Sequence, residues 1–507
     1  MPLTPHIPGN VREPEIFAEP LLALDLLEVG PPRLDGDRLV APYTVVAGGK
    51  AETIQLRFVY EESVFEPGEP ASLNLAAMIA AQPALNYGLF CRRIRFLGLY
   101  DQADRNFVLQ MMENTAREIW VHKILRPNPF LLLRGEELAP DRPPRRFTQA
   151  KVEFPEAGPG PGVSMGWSTD WARHAVLSSG GKESLLTFGI LSEIGAEVHP
   201  IFVNESGRHW YTALNAYRYF RESVPRTARV WTNADRVFVW FLRHFPFVRQ
   251  DFARVRSDQY PIRLWTVAVF LFGALPLLRK RRIGRLLIGD EHDTTVTGRY
   301  RGIPHHHGLF DQSRSFDQVL SRYFARKGWS VAQFSILRPL SELLIQKILV
   351  ERYPELHAHQ VSCHAAHLDG GRVKPCGRCE KCRRIVAMLV ALGADPAACG
   401  YSPPQVGRCL GDLADQPLHQ EEAASTHTLY LLQRRGMVEL PSRAALRLRS
   451  VPEVLKLRFH PERSPLEVIP GDLRASVLRI LLQHADGAVR WERGHWVPFD
   501  LEDAEML

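Results

Sequence analysis

The sequence has few of the features that mark secreted and membrane proteins. Only 7 of its 507 residues are cysteine, which is too few for a disulfide framework. The longest apolar run, at residues 264–278, is ~15 residues, whereas a membrane-spanning helix needs roughly 20, and Pro276 interrupts it. The N-terminus shows no basic region followed by an apolar core. We therefore expect a cytoplasmic protein without a membrane partner, in which residues 264–278 form a buried helix.

The composition also lacks the bias of disordered or nucleic-acid-binding chains. Apolar residues make up 45% and charged residues 23% of the sequence, as is usual for globular domains. The net charge is +7, but the 63 basic and 56 acidic residues are interspersed, so we expect no nucleic-acid partner. The one dense basic cluster, at residues 279–285, lies between an apolar helix and an apolar strand and is interpreted as a solvated helix end.

Changes in residue pattern divide the chain into four parts. Residues 1–150 begin with alternating apolar and polar residues and continue with a helical pattern. This order predicts an N-terminal α+β domain of unknown role. Two Pro/Gly-rich stretches lie between Pro140 and Trp167, and residues 151–170 are predicted to form an exposed linker. Residues 171–400 alternate short apolar strands with helices, which predicts an α/β domain with a parallel sheet. Residues 401–507 form a C-terminal extension with one clear helical pattern, at residues 472–485.

Within residues 171–400 the expected helices begin at residues 182–184, at Trp210 and at Pro261. Ligands of such folds bind at the carboxyl ends of the strands. The expected strands are HAVLSS, EVHPIFVN, ARVWTNA and RLLIGDE.

A glycine-rich loop, SSGG at residues 178–181, lies between a predicted strand and a predicted helix. Glycines let backbone N–H groups approach a phosphate, and the start of the helix carries a partial positive charge. We expect Gly180 to need a positive φ. The motifs GxGxxG and GxxxxGK[ST] are both absent, so this is neither the dinucleotide fingerprint nor the Walker loop. The loop is therefore a candidate anion cradle, and an ordinary structural turn is the alternative.

Four of the seven cysteines lie close together in the pattern C-x12-C-x2-C-x2-C. Four thiolates at this spacing can close a tetrahedral zinc site, and a closed site of this kind is structural. An iron–sulfur cluster is the alternative, since four thiolates also suit iron. The candidate ligands are Cys363, Cys376, Cys379 and Cys382.

Together, the two motifs resemble a known family. The loop and the residues after it read SGGKES, which is similar to the SGGxDS signature of the PP-loop ATP pyrophosphatases, with Glu183 in place of the aspartate. A PP-loop domain that ends in a C...CxxCxxC site resembles the 7-cyano-7-deazaguanine synthases, the QueC family. The resemblance covers residues 171–400, although the first cysteine spacing is longer than in the family. Segments at residues 204–209, 260–263 and 309–314 resemble further family motifs in the same order.

The resemblance implies a Rossmann-like adenine nucleotide alpha hydrolase fold and an ATP-dependent C–N ligase. In that chemistry the carboxylate of 7-carboxy-7-deazaguanine attacks the α-phosphorus of ATP and releases pyrophosphate. Ammonia then displaces AMP to give an amide, and a second activation dehydrates the amide to a nitrile. ATP is the cosubstrate, and Mg²⁺ and a structural Zn²⁺ are the expected metals. We also expect a homo-oligomer.

The resemblance also assigns roles to individual residues. A solvated lysine is the alternative role for Lys182, and simple loop capping is the alternative for Arg208 and His209. The candidate catalytic residues are Lys182, Glu183 and Arg263; those for ATP are Ser178, Ser179, Gly180, Gly181, Ser184 and Asn204; those for the carboxylate substrate are Arg208, His209, Asp311 and Arg314.

Three other functions stay open at this stage. The extra N- and C-terminal regions suggest the same adenylation with a protein amine as acceptor, as in QueC-like proteins associated with bacterial antiphage systems. A PP-loop enzyme that modifies RNA is the second alternative, and it would need a basic face. A noncatalytic nucleotide-binding protein is the third, suggested by Glu183 and by Leu264, which stands where the family has asparagine.

Two further segments suggest a second metal site. They are GDEHD at residues 289–293 and the three histidines at residues 305–307. Three consecutive histidines cannot all face one ion on a regular strand or helix. Glu291 and Asp293 are therefore interpreted as neighbours of magnesium or ribose, or as solvated turn residues.

Overall fold

The computed structural model describes residues 16–140, 142–156, 166–205, 207, 210–255, 260–416, 418–439 and 448–501. The strands are β1 (Leu26–Val29), β2 (Arg33–Asp35), β3 (Arg38–Ala47), β4 (Lys50–Tyr60), β5 (Arg93–Phe96), β6 (Lys151–Glu153), β7 (Asp170–Leu177), β8 (Glu197–Glu205), β9 (Ala228–Thr232), β10 (Ile283–Leu287), β11 (Thr297–Tyr300), β12 (Ile303–His306), β13 (Ala332–Phe334), β14 (His367–Asp369), β15 (Arg372–Lys374), β16 (Leu457–Phe459), β17 (Ala488–Glu492) and β18 (His495–Pro498). The helices are α1 (Pro70–Ala81), α2 (Gln102–Ile119), α3 (Lys182–Glu193), α4 (Trp210–Ser223), α5 (Ala234–Leu242), α6 (Val267–Arg281), α7 (Arg314–Arg326), α8 (Glu342–Arg352), α9 (Pro354–His357), α10 (Glu380–Leu392), α11 (Pro403–Gly411), α12 (Glu422–Arg434) and α13 (Gly471–Leu482).

One 11-stranded sheet forms the centre of the protein, in the order β13-β10-β7-β8-β9-β4-β3-β1-β5-β6, with β2 paired to β3. Strands β13, β10, β7, β8 and β9 are all parallel, which confirms the predicted α/β architecture with a mostly parallel sheet. Strand β4 pairs antiparallel with β9 through Phe58 and Thr232. The strands of the N-terminal region therefore extend the same sheet.

The predicted linker begins and ends in this sheet. Its first residues, Lys151–Glu153, form β6, and its last, Asp170, begins β7. The Pro/Gly-rich residues 157–165 lie outside the described residues. The sheet thus runs across the boundary that the composition predicts.

Two apolar clusters cover the two faces of the parallel strands. Neighbouring strand residues divide between them: Ala175, Ile201 and Leu286 belong to one cluster, whereas Val176 and Leu287 belong to the other. Since successive side chains of a strand point to opposite faces, the clusters lie on opposite sides of the sheet. Helices α1, α2, α6 and α7 contribute to the first cluster, and α3, α4, α8 and α13 to the second.

The four predicted strands correspond to β7, β8, β9 and β10, and α3 and α4 begin where the sequence predicts. The expected start of a helix at Pro261 is wrong, because α6 begins at Val267. The amide oxygen of Asn86 accepts hydrogen bonds from the N–H groups of Leu264 (2.9 Å) and Trp265 (3.0 Å). These hydrogen bonds pair the backbone N–H groups of residues 264 and 265 before the helix starts. The two groups therefore do not require the hydrogen bonds of a helical turn.

Helix α6 holds most of the apolar run and is buried, as expected. In the part of the chain that the structure describes, no helix combines the length and apolarity needed to cross a membrane.

Three of the five basic side chains at residues 279–285 are engaged in ion pairs, whereas Lys280 and Arg282 are exposed, as expected for a solvated helix end. Arg279 donates to Glu69 (2.8 Å) and Arg281 to Glu62 (2.8 Å). Arg285 is buried and donates to both carboxylate oxygens of Asp472 (2.7 and 2.9 Å). The three ion-paired arginines fasten α6 and β10 to neighbouring elements.

The C-terminal extension packs against the α/β part of the protein. Its predicted helix is confirmed as α13. The buried guanidinium of Arg458 donates to both oxygens of Glu421 (2.7 Å each), and the Arg458 N–H donates to the carbonyl of Pro339 (2.8 Å). The ion pair joins two parts of the extension, and the contact with Pro339 holds the extension beside the start of α8.

Candidate functional site

A cavity of about 510 Å³ lies at the carboxyl edge of the parallel sheet. The ends of three strands supply its lining, with Ser178 after β7, Asn204 and Glu205 in β8, and Gly289 and Glu291 after β10. Ligands of open α/β sheets bind at this edge. The glycine-rich loop therefore lies where the sequence predicts a ligand site.

The two glycines of the loop have different roles. Gly180 has a φ of +73°, as expected, and a Cβ there would lie 2.7 Å from the carbonyl oxygen of Thr212 and 2.8 Å from the Cα of Ala213. Gly180 therefore lets the loop pack against the backbone of α4. Gly181 lines the cavity and is the N-cap of α3 with a φ of −85°, so it is the residue whose missing side chain leaves the cradle open.

Hydrogen bonds between serines hold the loop in place. The Ser184 hydroxyl donates to the carbonyl of Gly181 (3.1 Å), and the Ser178 hydroxyl donates to the Ser184 oxygen (3.3 Å). Both serines are buried. Asn204 is also buried, and its Oδ1 has no hydrogen-bond partner among the described residues. The serines thus support the loop, whereas Asn204 offers an open acceptor at the cavity.

Lys182 is buried beneath the loop. Its Nζ donates to Glu183 and to Oε1 of Glu342 (2.6 Å). Burial alone would lower the pKa of Lys182, but Glu183 and Glu342 hold it above the ordinary lysine value. The alternative of a solvated first-turn lysine is therefore wrong.

Two basic residues of α10, which the sequence analysis missed, line the cavity. They are Lys381 and Arg384, and the Nε of Arg384 lies 3.3 Å from Glu342 Oε1. Burial raises the pKa of Glu342, but Arg384 and Lys182 outweigh it and hold the pKa at about 2. The signal that could have found them is the run EKCRR, which overlaps the last cysteine of the metal motif.

Acidic side chains share the cavity with these cations. Glu183, Glu205 and Glu291 belong to its lining. The pKa of Glu291 is raised well above the ordinary value by burial and by Asp293 and Glu183. Carboxylate oxygens beside a phosphate site are suitable magnesium ligands, so Glu183 and Glu291 are the residues that could hold Mg²⁺.

Arg263 lies behind the cavity rather than in its lining. Its guanidinium carbon is 3.9 Å from the ring centroid of Tyr260 and 4.5 Å from that of Phe238. Its NH1 lies 3.6 Å from Oε1 of Glu205, which does line the cavity. Arg263 therefore acts on the site through Glu205 and Tyr260.

Two of the four predicted substrate-binding residues, Asp311 and Arg314, do not line the cavity. Asp311 caps α6, because its Oδ2 accepts hydrogen bonds from the N–H groups of Thr266 (2.8 Å) and Ala268 (3.1 Å), and burial raises its pKa to about 6. Arg208 and His209 lie outside the described residues.

Arg314 instead reaches the C-terminal extension. Its NH1 donates to the backbone carbonyl of Glu462 (2.9 Å), and its backbone N–H donates to the Thr295 hydroxyl (2.9 Å). The guanidinium thus fastens the start of α7 to the chain that follows β16.

The sulfur atoms of the four cysteines form a compact group, all within 4.8 Å of one another. The separations are 3.5 Å for Cys379–Cys382, 3.8 Å for Cys376–Cys382 and 4.0 Å for Cys363–Cys379. A tetrahedron with Zn–S bonds near 2.3 Å has edges of about 3.8 Å. This group could therefore hold a metal ion such as zinc.

The long first spacing of the cysteine motif is a β-hairpin. Strands β14 and β15 lie between Cys363 and Cys376, and the turn residues Gly370 and Gly371 have φ values of +56° and +78°. A two-residue turn with both φ values positive matches the twist of a hairpin. Asn215 on α4 accepts from the N–H of Val373 (3.0 Å) and donates to its carbonyl (2.8 Å), which docks the hairpin on α4.

The cysteine group and the glycine loop are parts of one site. Cys363 lines the cavity, and the N–H of Val361 donates to the carbonyl of Gly180 (3.4 Å). Cys379 is the N-cap of α10, the helix that carries Lys381 and Arg384. A metal held by the cysteines would therefore fix the position of two cavity cations.

The second metal site suggested by the sequence gains no support. Glu291 faces the cavity, whereas His305 contacts Arg126 (3.0 Å) and His306 contacts Glu118 (3.3 Å) in the N-terminal region. Within the described ranges, the four cysteines are the only group of three or more side chains with the spacing of metal ligands.

Comparison of the sequence with protein-family models finds no match. No curated protein matches the chain either.

We expect purified protein to contain close to one zinc per chain, and Cys379→Ser to lose it. Structural zinc sites contribute on the order of 10 kcal/mol to local folding, so the variant should also lose solubility or thermal stability. Elemental analysis and thermal melts measure both. Cys91→Ser, a buried cysteine in the N-terminal region, is the control and should keep its metal. Iron with acid-labile sulfide, or a metal-free variant with wild-type stability, contradicts the assignment.

Proposed function

We propose that this protein is a QueC-like ligase that uses ATP to adenylate a carboxylate, 7-carboxy-7-deazaguanine or a similar compound, and transfers the acyl group to ammonia. The observation that carries the proposal is the joining of two motifs in one cavity. The glycine loop supplies backbone N–H groups, and the helix that starts at Cys379 supplies Lys381 and Arg384. The family resemblance of both motifs supports the same reaction.

The first step needs positive groups around the phosphate chain. The carboxylate oxygen of the substrate attacks the α-phosphorus, the bond to the bridging oxygen breaks, and pyrophosphate leaves. Gly181 and the start of α3 offer N–H groups to the leaving pyrophosphate, and Lys182, Lys381 and Arg384 offset its charge. Magnesium, when bound to Glu183 and Glu291, would neutralise the phosphates further.

The second step needs a proton acceptor. Ammonia attacks the acyl carbon of the adenylate, AMP leaves with the C–O bond electrons, and the nitrogen loses a proton. After pyrophosphate has left, the Glu291 carboxylate, which lines the cavity, can accept this proton. The same adenylation followed by attack of a protein amine is the alternative.

The extra regions have structural roles that do not depend on a macromolecular acceptor. The N-terminal strands continue the central sheet through β4 and β9. In the C-terminal extension, the Gln420 amide donates to Glu342 (2.9 Å) at the cavity. Ammonia is therefore the acceptor that the proposal favours. RNA as acceptor gains no support from the ion-paired basic cluster at residues 279–285.

The proposal is tested by measuring AMP and pyrophosphate release with ATP, Mg²⁺ and 7-carboxy-7-deazaguanine, with and without ammonia. We expect both products to depend on the carboxylate, and turnover to rise when ammonia is added. Turnover that requires a protein amine or an RNA supports one of the two alternatives instead. Nucleotide binding without either product indicates a noncatalytic protein.

We expect Gly181→Val to weaken ATP binding by more than tenfold, about 1.4 kcal/mol, because its side chain would enter the cradle without a positive-φ penalty. Isothermal titration calorimetry measures the affinity, and the zinc content should not change. Gly407→Val is the control, since Gly407 is exposed on α11 with open space at its Cβ. An unchanged ATP affinity in Gly181→Val would make the loop an ordinary turn.

A further inference from the structure

A second cavity, of about 220 Å³, lies beside the helical turn Trp120–Ile124 that follows α2. It shares no lining residue with the ATP cavity proposed above. Every ionisable side chain of its lining is basic. The lining residues are His122, Lys123, Arg126, Pro127, Leu264, His307, Gly308 and Leu309.

Lys123 is the least expected member of this lining. Its side chain is only 6% exposed, and among the described residues no carboxylate pairs with its Nζ and no acceptor takes a hydrogen bond from it. Burial lowers its pKa to about 8. A buried ammonium without a partner is unfavourable. A partner for the Lys123 ammonium can lie in the cavity.

Arg126 supplies a second cation without a carboxylate within the described part of the chain. Its guanidinium contacts ring nitrogens of His305 (3.0 Å) and His122 (3.4 Å) and lies 5.1 Å from the centroid of the Tyr300 ring. Because a guanidinium only donates, the facing imidazole nitrogens must be acceptors. These contacts orient Arg126 but leave its charge without an opposite partner.

The buried acid Glu118, whose carboxylate lies 3.5 Å from Nε2 of His122, is engaged by other partners. Its carboxylate accepts from the backbone N–H of His306 (3.1 Å), lies 3.3 Å from Nδ1 of the same residue, and pairs with Arg117 (3.2 Å). Burial raises the pKa of Glu118, but the contacts from His122 and His306 outweigh it and lower the pKa to about 2. Glu118 therefore balances Arg117 and does not neutralise Lys123 or Arg126.

We propose that this second cavity binds a small oxyanion, a phosphate or a carboxylate group, between Lys123 and Arg126. Arginine holds such groups with paired N–H donors, and lysine adds a point charge. The volume suits one such group, and Leu264 and Leu309 offer an apolar wall for a short attached chain. Leu264 lies two positions before Thr266, which lines the first cavity, so the two sites flank one segment.

Calorimetric titration of the full chain with inorganic phosphate and, separately, with acetate tests the site. We expect saturable binding of at least one probe and at least tenfold weaker binding in Lys123→Met, which keeps the side-chain volume. Arg126→Gln should weaken the same probe. Lys50→Met, at an exposed lysine, should not change it. The tighter probe identifies the oxyanion as phosphate or carboxylate.

Gly181→Val separates this site from the first cavity. We expect the affinity for the favoured probe to survive in Gly181→Val and to fall in Lys123→Met. The reverse pattern, or no saturable binding of either probe by the wild-type chain, overturns the proposal. A thermal melt confirms that Lys123→Met is folded. Because no ligase turnover enters these measurements, failure of the proposed reaction would leave this test intact.

Discussion

The candidate site depends on the contacts that the Glu342 carboxylate makes. It accepts from Lys182 under the glycine loop (2.6 Å) and from Gln420 of the C-terminal extension (2.9 Å), and it lies 3.3 Å from the Nε of Arg384 on α10. A buried carboxylate is tolerated only when such partners surround it. Glu342 therefore joins three distant segments of the chain at one wall of the cavity.

The cysteine group determines the position of one of these segments, α10. Cys379 begins α10 and Cys382 lies in its first turn, so a metal bound to both fixes the start of the helix that carries Arg384. The hairpin between Cys363 and Cys376 is docked on α4, the helix against which Gly180 packs. The cysteine group and the loop thus share one supporting helix, and a metal held by the cysteines would couple the assembly of the cavity to metal binding.

Local patterns predict the parts of this arrangement that depend on neighbouring residues. The strands β7 to β10, the loop and the four-cysteine motif each follow from a few adjacent positions. The start of α6 does not, because it depends on Asn86, far away in the sequence. The run EKCRR shows that Lys381 and Arg384 are basic, but their place at the cavity depends on the packing of α10 beside Glu342. Asp311 lies in a segment that resembles a family motif, but its carboxylate caps α6.

The most direct test of this account is the affinity of Arg384→Gln for ATP and for adenosine, measured by calorimetry. If α10 brings a cation to the phosphate chain, ATP binding should weaken by at least tenfold, about 1.4 kcal/mol, while adenosine binding stays unchanged. Unchanged adenosine binding also shows that the variant is folded. An ATP affinity equal to that of the wild type, or an equal loss for both ligands, would contradict the account.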